Sequence, residues 1–167
     1  GWRKANLWAV LHGQALEGAY MRAMRNPGHE CKAGRITYLF DGQNLWYALP
    51  SGRVLCYPSA KFDEEGNITY LKAAWKPAAD AKEWPRARLW RGLACENVVQ
   101  ATAHDLLRHA MRHVDAVAHV HDEIVVECPE SQAESMAQHV HSVMCTPPSW
   151  ATGLPLAAEG VTTTRYS

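Results

Sequence analysis

Two adjacent carboxylates, Asp122 and Glu123, follow a histidine, His121, between two short apolar runs. The runs are Ala116-Val117-Ala118-His119-Val120 and Ile124-Val125-Val126-Glu127-Cys128. Both are rich in β-branched residues and only the polar triplet separates them, so a strand-turn-strand hairpin with His121-Asp122-Glu123 at its tip is predicted. Tight hairpin turns favour Asn-Gly or Asp-Gly, because they place central residues at positive φ. A tip without glycine breaks that local rule, and such breaks concentrate at functional sites. Hard Mg²⁺ takes carboxylate oxygens and keeps several waters, so an aspartate on a rigid element can anchor it against a substrate phosphate. A pair of such ions activates an attacking hydroxyl and stabilises the leaving oxygen. The triplet is therefore read as part of a phosphoryl-transfer site, with Asp122 as ligand and Glu123 as helper. Taken by itself, the triplet is better accounted for as a solvated polar turn.

The clearest element near the triplet is a helix predicted over residues 95–114, where Val99, Ala103, Leu106, Leu107, Ala110 and Val114 fall on one face. Downstream, Pro129 and Ser131 open another helix. Its Ser131-Gln132-Ala133-Glu134 has capping-box spacing, and Met136, Val140, Val143 and Met144 form the expected buried stripe. Pro147-Pro148 stops it, and the apolar stretch 154–160 is expected to return as a strand. Upstream, residues 2–25 carry a helical stripe through Ala5, Trp8, Leu11 or Ala15, Ala19 and Ala23, ended by Asn26-Pro27-Gly28. Three β-rich runs, 36–40, 45–49 and 54–57, then read as an antiparallel meander, with a further short strand at 68–71. The expected fold class is α+β: an antiparallel sheet with packed helices. No repeat or linker divides the chain, so it is treated as one domain over 1–167, a leading helix at 1–28 followed by 29–167.

Composition narrows the function classes. The 167 residues are 47% apolar and 20% charged, which suits one globular domain. No run approaches the roughly 18 apolar residues of a membrane span, and no charged start precedes a greasy stretch, so a cytoplasmic protein with no membrane partner is expected. The five cysteines are odd in number, far apart and without a C-x-x-C pair, which points to reduced, buried thiols. Histidine pairs at His109/His113 and His119/His121 lack companion cysteines at regular spacing and do not make a zinc site. Lys plus Arg equals Asp plus Glu at 17 each, so any nucleic-acid binding must come from local clusters. One such cluster is Lys82, Arg86, Arg88 and Arg91, close to Trp84 and Trp90.

In its wider context the triplet acquires a family likeness. The string from Ala118 to Glu127 resembles motif C of family A (DNA polymerase I-like) DNA polymerases, and residues 96–107 resemble the helix that precedes motif C in bacteriophage members. Residues 51–58 and 154–160 also look like their phage counterparts, in the right order, and the resemblance covers nearly the whole chain. It implies the C-terminal palm segment of a right-hand polymerase fold. Asp122 would then be the motif C metal ligand and Glu123 its acidic neighbour near the metal and primer end. His121 would contact the primer terminus. Gln100 would touch the nascent duplex through its minor groove, where acceptors common to all correct pairs permit binding without sequence preference, and Asn97 on the same helix would be a further nucleic-acid contact. Arg91 would contact the nucleic-acid backbone.

The same likeness defines what is missing. The family's second metal-binding aspartate on motif A and its triphosphate-binding motif B helix have no counterpart in the sequence. Mg²⁺ would be only partly held by this chain, and deoxynucleoside triphosphate would be bound by the missing motifs. The expected partners are primer-template DNA and a companion chain carrying motifs A and B. The reading is a split subunit or a segment of a longer polypeptide; Gly1, directly followed by a helical pattern, fits a cut or a tag scar. The alternative is a non-catalytic nucleic-acid-binding or regulatory module that keeps the palm's duplex-binding surface.

Overall fold

The computed structural model describes residues 2–73 and 84–165, with side chains from residue 12 onward. Contacts divide the chain into two compact units, Gly1–Val99 and Gln100–Ser167. Every strand pairing among the described residues is antiparallel, and three α-helices accompany the sheets, in keeping with the expected α+β class.

The first unit opens with helix α1, Trp2–Arg25. Asn26 ends it, its side-chain amide donating to the Arg22 carbonyl at 2.8 Å. Gly28 then turns the chain at φ +81°, which a Cβ would disfavour, and its N–H donates to the Phe40 carbonyl at 2.8 Å. A four-stranded meander follows: β1 (Cys31–Ala33), β2 (Ile36–Phe40), β3 (Leu45–Ala48) and β4 (Val54–Tyr57), adjacent in that order. Period-two burial in β2 and β3 turns Ile36, Tyr38, Leu45 and Tyr47 inward. On α1, Leu16, Ala19, Tyr20, Ala23 and Met24 are buried. Ala19 and Ala23 therefore lie where the helical period put them, Ala15 is exposed, and Ala5, Trp8 and Leu11 lie outside the described side chains.

A second, three-stranded sheet comprises β5 (Lys61–Phe62), β6 (Ile68–Leu71) and β7 (Arg86–Leu89). The sequence marked only β6; β1, β5 and β7 are short and carry lysine or arginine, which hides the apolar alternation. A continuous chain of buried tyrosine rings ties this unit together. Tyr20 meets Tyr38 at 5.9 Å between centroids, Tyr38 meets Tyr47 at 6.0 Å, Tyr47 meets Tyr57 at 5.1 Å, and Tyr57 meets Tyr70 at 4.9 Å. Four such contacts contribute on the order of 2–6 kcal/mol beyond simple burial. Desolvation is the main reason the hydroxyls of Tyr20, Tyr38 and Tyr57 titrate far above the usual phenol range.

The second unit is less deeply packed. Helix α2 runs Arg91–Met111, four residues earlier at its start than the period predicted, and it carries the chain from the first unit into the second. In the second unit Leu107 and Ala110 are buried together with Asp105 and Ala151. Val99 is 60% exposed and Ala103 is also exposed, so the predicted stripe continues only through its later members. Strands β8 (Ala116–Val120) and β9 (Glu123–Val126) form a separate two-stranded sheet.

A 3-10 turn, Glu130–Gln132, then leads into helix α3, Ala133–Cys145. The predicted capping box does not form. Ser131 lies within the 3-10 turn, Gln132 is the cap residue, and it makes no side-chain capping bond. None of Met136, Val140, Val143 and Met144 is buried; each is half-exposed on a helix with no buried residue at all. His139 anchors α3 by donating from Nε2 to the His113 carbonyl at 3.0 Å. Residues 154–160 form no strand, correcting that expectation. Pro155 lacks the N–H a ladder needs, and Leu154 stays 42% exposed. All five cysteines are free thiols, half-buried rather than buried. Among the described residues no helix is long and apolar enough to cross a membrane.

Candidate functional site

The hairpin forms where the sequence placed it, with one change in its tip. Val120 pairs with Glu123, so the loop contains two residues, His121 and Asp122, and Glu123 is the first residue of β9. A two-residue connection has to follow the right-handed twist of its strands, which requires a primed turn with positive φ at its first central position. His121 occupies that position at φ +53°. Left-handed backbone disfavours residues bearing a Cβ by roughly 1–2 kcal/mol. The strain anticipated from a tip without glycine is thus localised on His121, directly before the candidate ligand.

A second irregularity lies four residues before His121. Ala116 faces Val126 and Ala118 faces Val125, leaving Val117 as an unmatched residue in β8 and 62% exposed. Such a bulge bends and twists its strand, and bulges often re-aim side chains beside functional sites. His121, Asp122 and Glu123 are all exposed. Among the described residues no group of three His, Cys, Asp or Glu side chains is arranged to hold a metal ion. Two neighbouring carboxylates suit a hard divalent cation, but they constitute a partial donor set.

Gln100 lies on α2 in the same unit as the hairpin and is exposed. His104, one helical turn further on, approaches His119 of β8 with ring centroids 6.5 Å apart. Residues four apart share a helix face, so the face bearing Gln100 is the one turned toward β8. On the same helix Asp105 is buried and lies 3.9 Å from the Arg108 guanidinium. His109 and His113 also meet, at 5.0 Å between ring centroids, without a third ligand among the described residues.

The remaining predicted contacts belong to the first unit. Asn97 donates from Nδ2 to the Tyr57 hydroxyl at 3.0 Å and is half-buried, so its amide is already engaged by the tyrosine chain. Arg91 is exposed at the start of α2, and its stem passes so close to Gly13 of α1 that a Cβ there would lie 3.4 Å from Arg91 Cβ. Lys82 lies outside the described residues. No local pattern signals the bulge at Val117 or the His104–His119 approach, since both depend on pairing register and helix placement.

An antiparallel α+β chain with an acidic hairpin beside a long helix is the class of structure defined so far. Its sequence is similar to that of a protein named DNA polymerase from Bacillus phage SP02, with 32% identity over 170 residues. The aligned region is 99% of this chain and 26% of the phage protein, so the chain spans about a quarter of that relative's length. The likeness therefore runs through the whole chain rather than through one motif. No protein-family profile and no solved structure matches the chain.

Proposed function

We propose that this chain is a C-terminal palm segment of a family A DNA polymerase, contributing motif C to two-metal nucleotidyl transfer during DNA replication. The observation that carries the reading is end-to-end similarity to a phage DNA polymerase, combined with an aspartate held at a strained hairpin tip. Bound Mg²⁺ would lower the pKa of the primer hydroxyl and stabilise the leaving pyrophosphate. Asp122 is the carboxylate that holds the ion, Glu123 adds negative charge beside it, and His121 contacts the primer terminus. Gln100 binds the minor-groove edge of the nascent pair, with Asn97 and Arg91 as further nucleic-acid contacts. The second aspartate and the triphosphate site come from a polypeptide carrying motifs A and B, either a companion chain or another part of a longer protein.

Primer extension tests this directly. The chain alone is expected to leave a primed template unextended, and mixing it with a polypeptide carrying motifs A and B should restore Mg²⁺-dependent synthesis. Asp122→Ala should abolish the restored activity while leaving the circular dichroism spectrum unchanged; synthesis that survives this substitution refutes the catalytic assignment. Gln100→Ala is expected to weaken primer-template binding several-fold. Unaltered anisotropy titrations would remove its minor-groove role.

A further inference from the structure

We propose that the outer face of the β5–β6–β7 sheet binds single-stranded nucleic acid, at a site separate from the hairpin. Residues 84–90 read Trp84-Pro85-Arg86-Ala87-Arg88-Leu89-Trp90. In β7 the burial alternates: Leu89 is buried and Ala87 half-buried, whereas Arg86 and Arg88 are exposed. Both flanks carry exposed indoles, Trp84 at 57% and Trp90 at 54% exposure, and Pro85 between Trp84 and the strand is exposed as well. Thr69 pairs with Arg88 on one side and with Lys61 on the other, which puts Lys61 on the same face. The inner face carries Ile68, Tyr70 and Leu89 into the core.

Arg86 is held in place. Arg86 donates from Nε to Thr69 Oγ1 at 3.0 Å, and from Nη2 to the Ser59 and Thr69 carbonyls at 2.6 and 2.8 Å. Its Nη1 has no hydrogen-bond partner among the described residues. Trp90 lies over Gly92: a Cβ at that position would fall 1.9 Å from Cζ3 of the indole, so the ring lies where only glycine leaves room. A neighbouring acid, Asp63, accepts from the N–H groups of Asn67 and Glu65 and also interacts electrostatically with Arg88, without a close ion pair among the described residues.

Exposed indoles interleaved with cations match the chemistry of an unpaired strand. The cations follow the phosphates, and the indoles stack on bases of any sequence. A duplex keeps its bases inside and would leave the indoles without a stacking partner. The concentration of positive charge favours nucleic acid over an apolar protein surface.

Anisotropy titrations of labelled oligo-dT and oligo-rU of roughly 20 nucleotides, and a duplex of equal length, test the site on the full chain without metal. Either single strand should bind, and its affinity should depend on the indoles, whereas that of the duplex should not. Trp84→Ala/Trp90→Ala should weaken single-strand binding at least about tenfold with little change in salt dependence, whereas Trp84→Phe/Trp90→Phe should retain it. Lys61→Gln/Arg88→Gln should lower the salt slope by about 1.4, for two phosphate contacts. The proposal is overturned if the alanine pair binds single strands like the parent, if it weakens duplex binding as much as single-strand binding, or if sedimentation shows the indoles buried in a self-dimer that the alanine pair dissociates. Because no extension is measured, this result is independent of the polymerase reading.

Discussion

Replacing His121 by glycine isolates the strain at the hairpin tip. At φ +53° the histidine pays the penalty that any Cβ-bearing residue meets in left-handed backbone, about 1.5 kcal/mol. Glycine removes that penalty but brings a more flexible unfolded chain, which offsets roughly 0.75 kcal/mol. The net expectation is a stabilisation of about 0.7 kcal/mol, or roughly 2 °C in Tm for a chain of this size. His121→Ala is the necessary companion, because it deletes the imidazole while keeping the Cβ. If the turn geometry is responsible, the glycine variant melts above the alanine variant in thermal circular dichroism, and alanine gains nothing over the parent. Equal melting temperatures for the two variants would refute the strained-turn account, and a glycine variant less stable than alanine would show that the imidazole or the backbone has another role.

The first unit supplies two further predictions. Asp41 accepts from the N–H groups of Gln43 and Asn44 and from the Trp46 indole, and these bonds hold its pKa at about 2, below the ordinary 3.8. A depressed carboxyl pKa gives stability that is fully present above the unfolded value and is lost as pH falls through the folded one. The lowering corresponds to roughly 2.4 kcal/mol before screening, which solvent exposure reduces to about 1 kcal/mol. Asp41→Asn should therefore destabilise at pH 6 by about that amount and converge with the parent near pH 2; a constant difference across that range would exclude Asp41 as the source. Tyr38 is fully buried and its hydroxyl has no hydrogen-bond partner among the described residues. Tyr38→Phe should consequently be neutral or stabilising by up to about 1 kcal/mol in urea unfolding, and a loss of more than that would reveal a partner for the hydroxyl.

Much of the scaffold was legible because its signals are local. The stripe ending in Ala19 and Ala23, the stop at Asn26-Pro27-Gly28 and the three long runs of the meander each depend on period and turn chemistry over a few residues. The hairpin was legible for the same reason, as was the improbability of a His-Asp-Glu tip without glycine. Similarity in the order of segments, rather than the triplet itself, connected that tip with polymerases. Failures arose where a pattern needed a neighbour to give it meaning. The stripe on α3 is apolar, yet none of it is buried; residues 154–160 are apolar, yet no strand accepts them.

By itself, the sequence determined the succession of helix, meander, long helix and acidic hairpin, because backbone sterics and apolar spacing act over one or two turns of chain. Tertiary structure alone decided that Glu123 belongs to β9 while His121 takes the left-handed position, since pairing register cannot be fixed without both strands. It likewise chose which side of α2 is buried and aligned five tyrosines, far apart in the chain, into one core. Side-chain packing is a property of surfaces brought together, and no residue carries it alone.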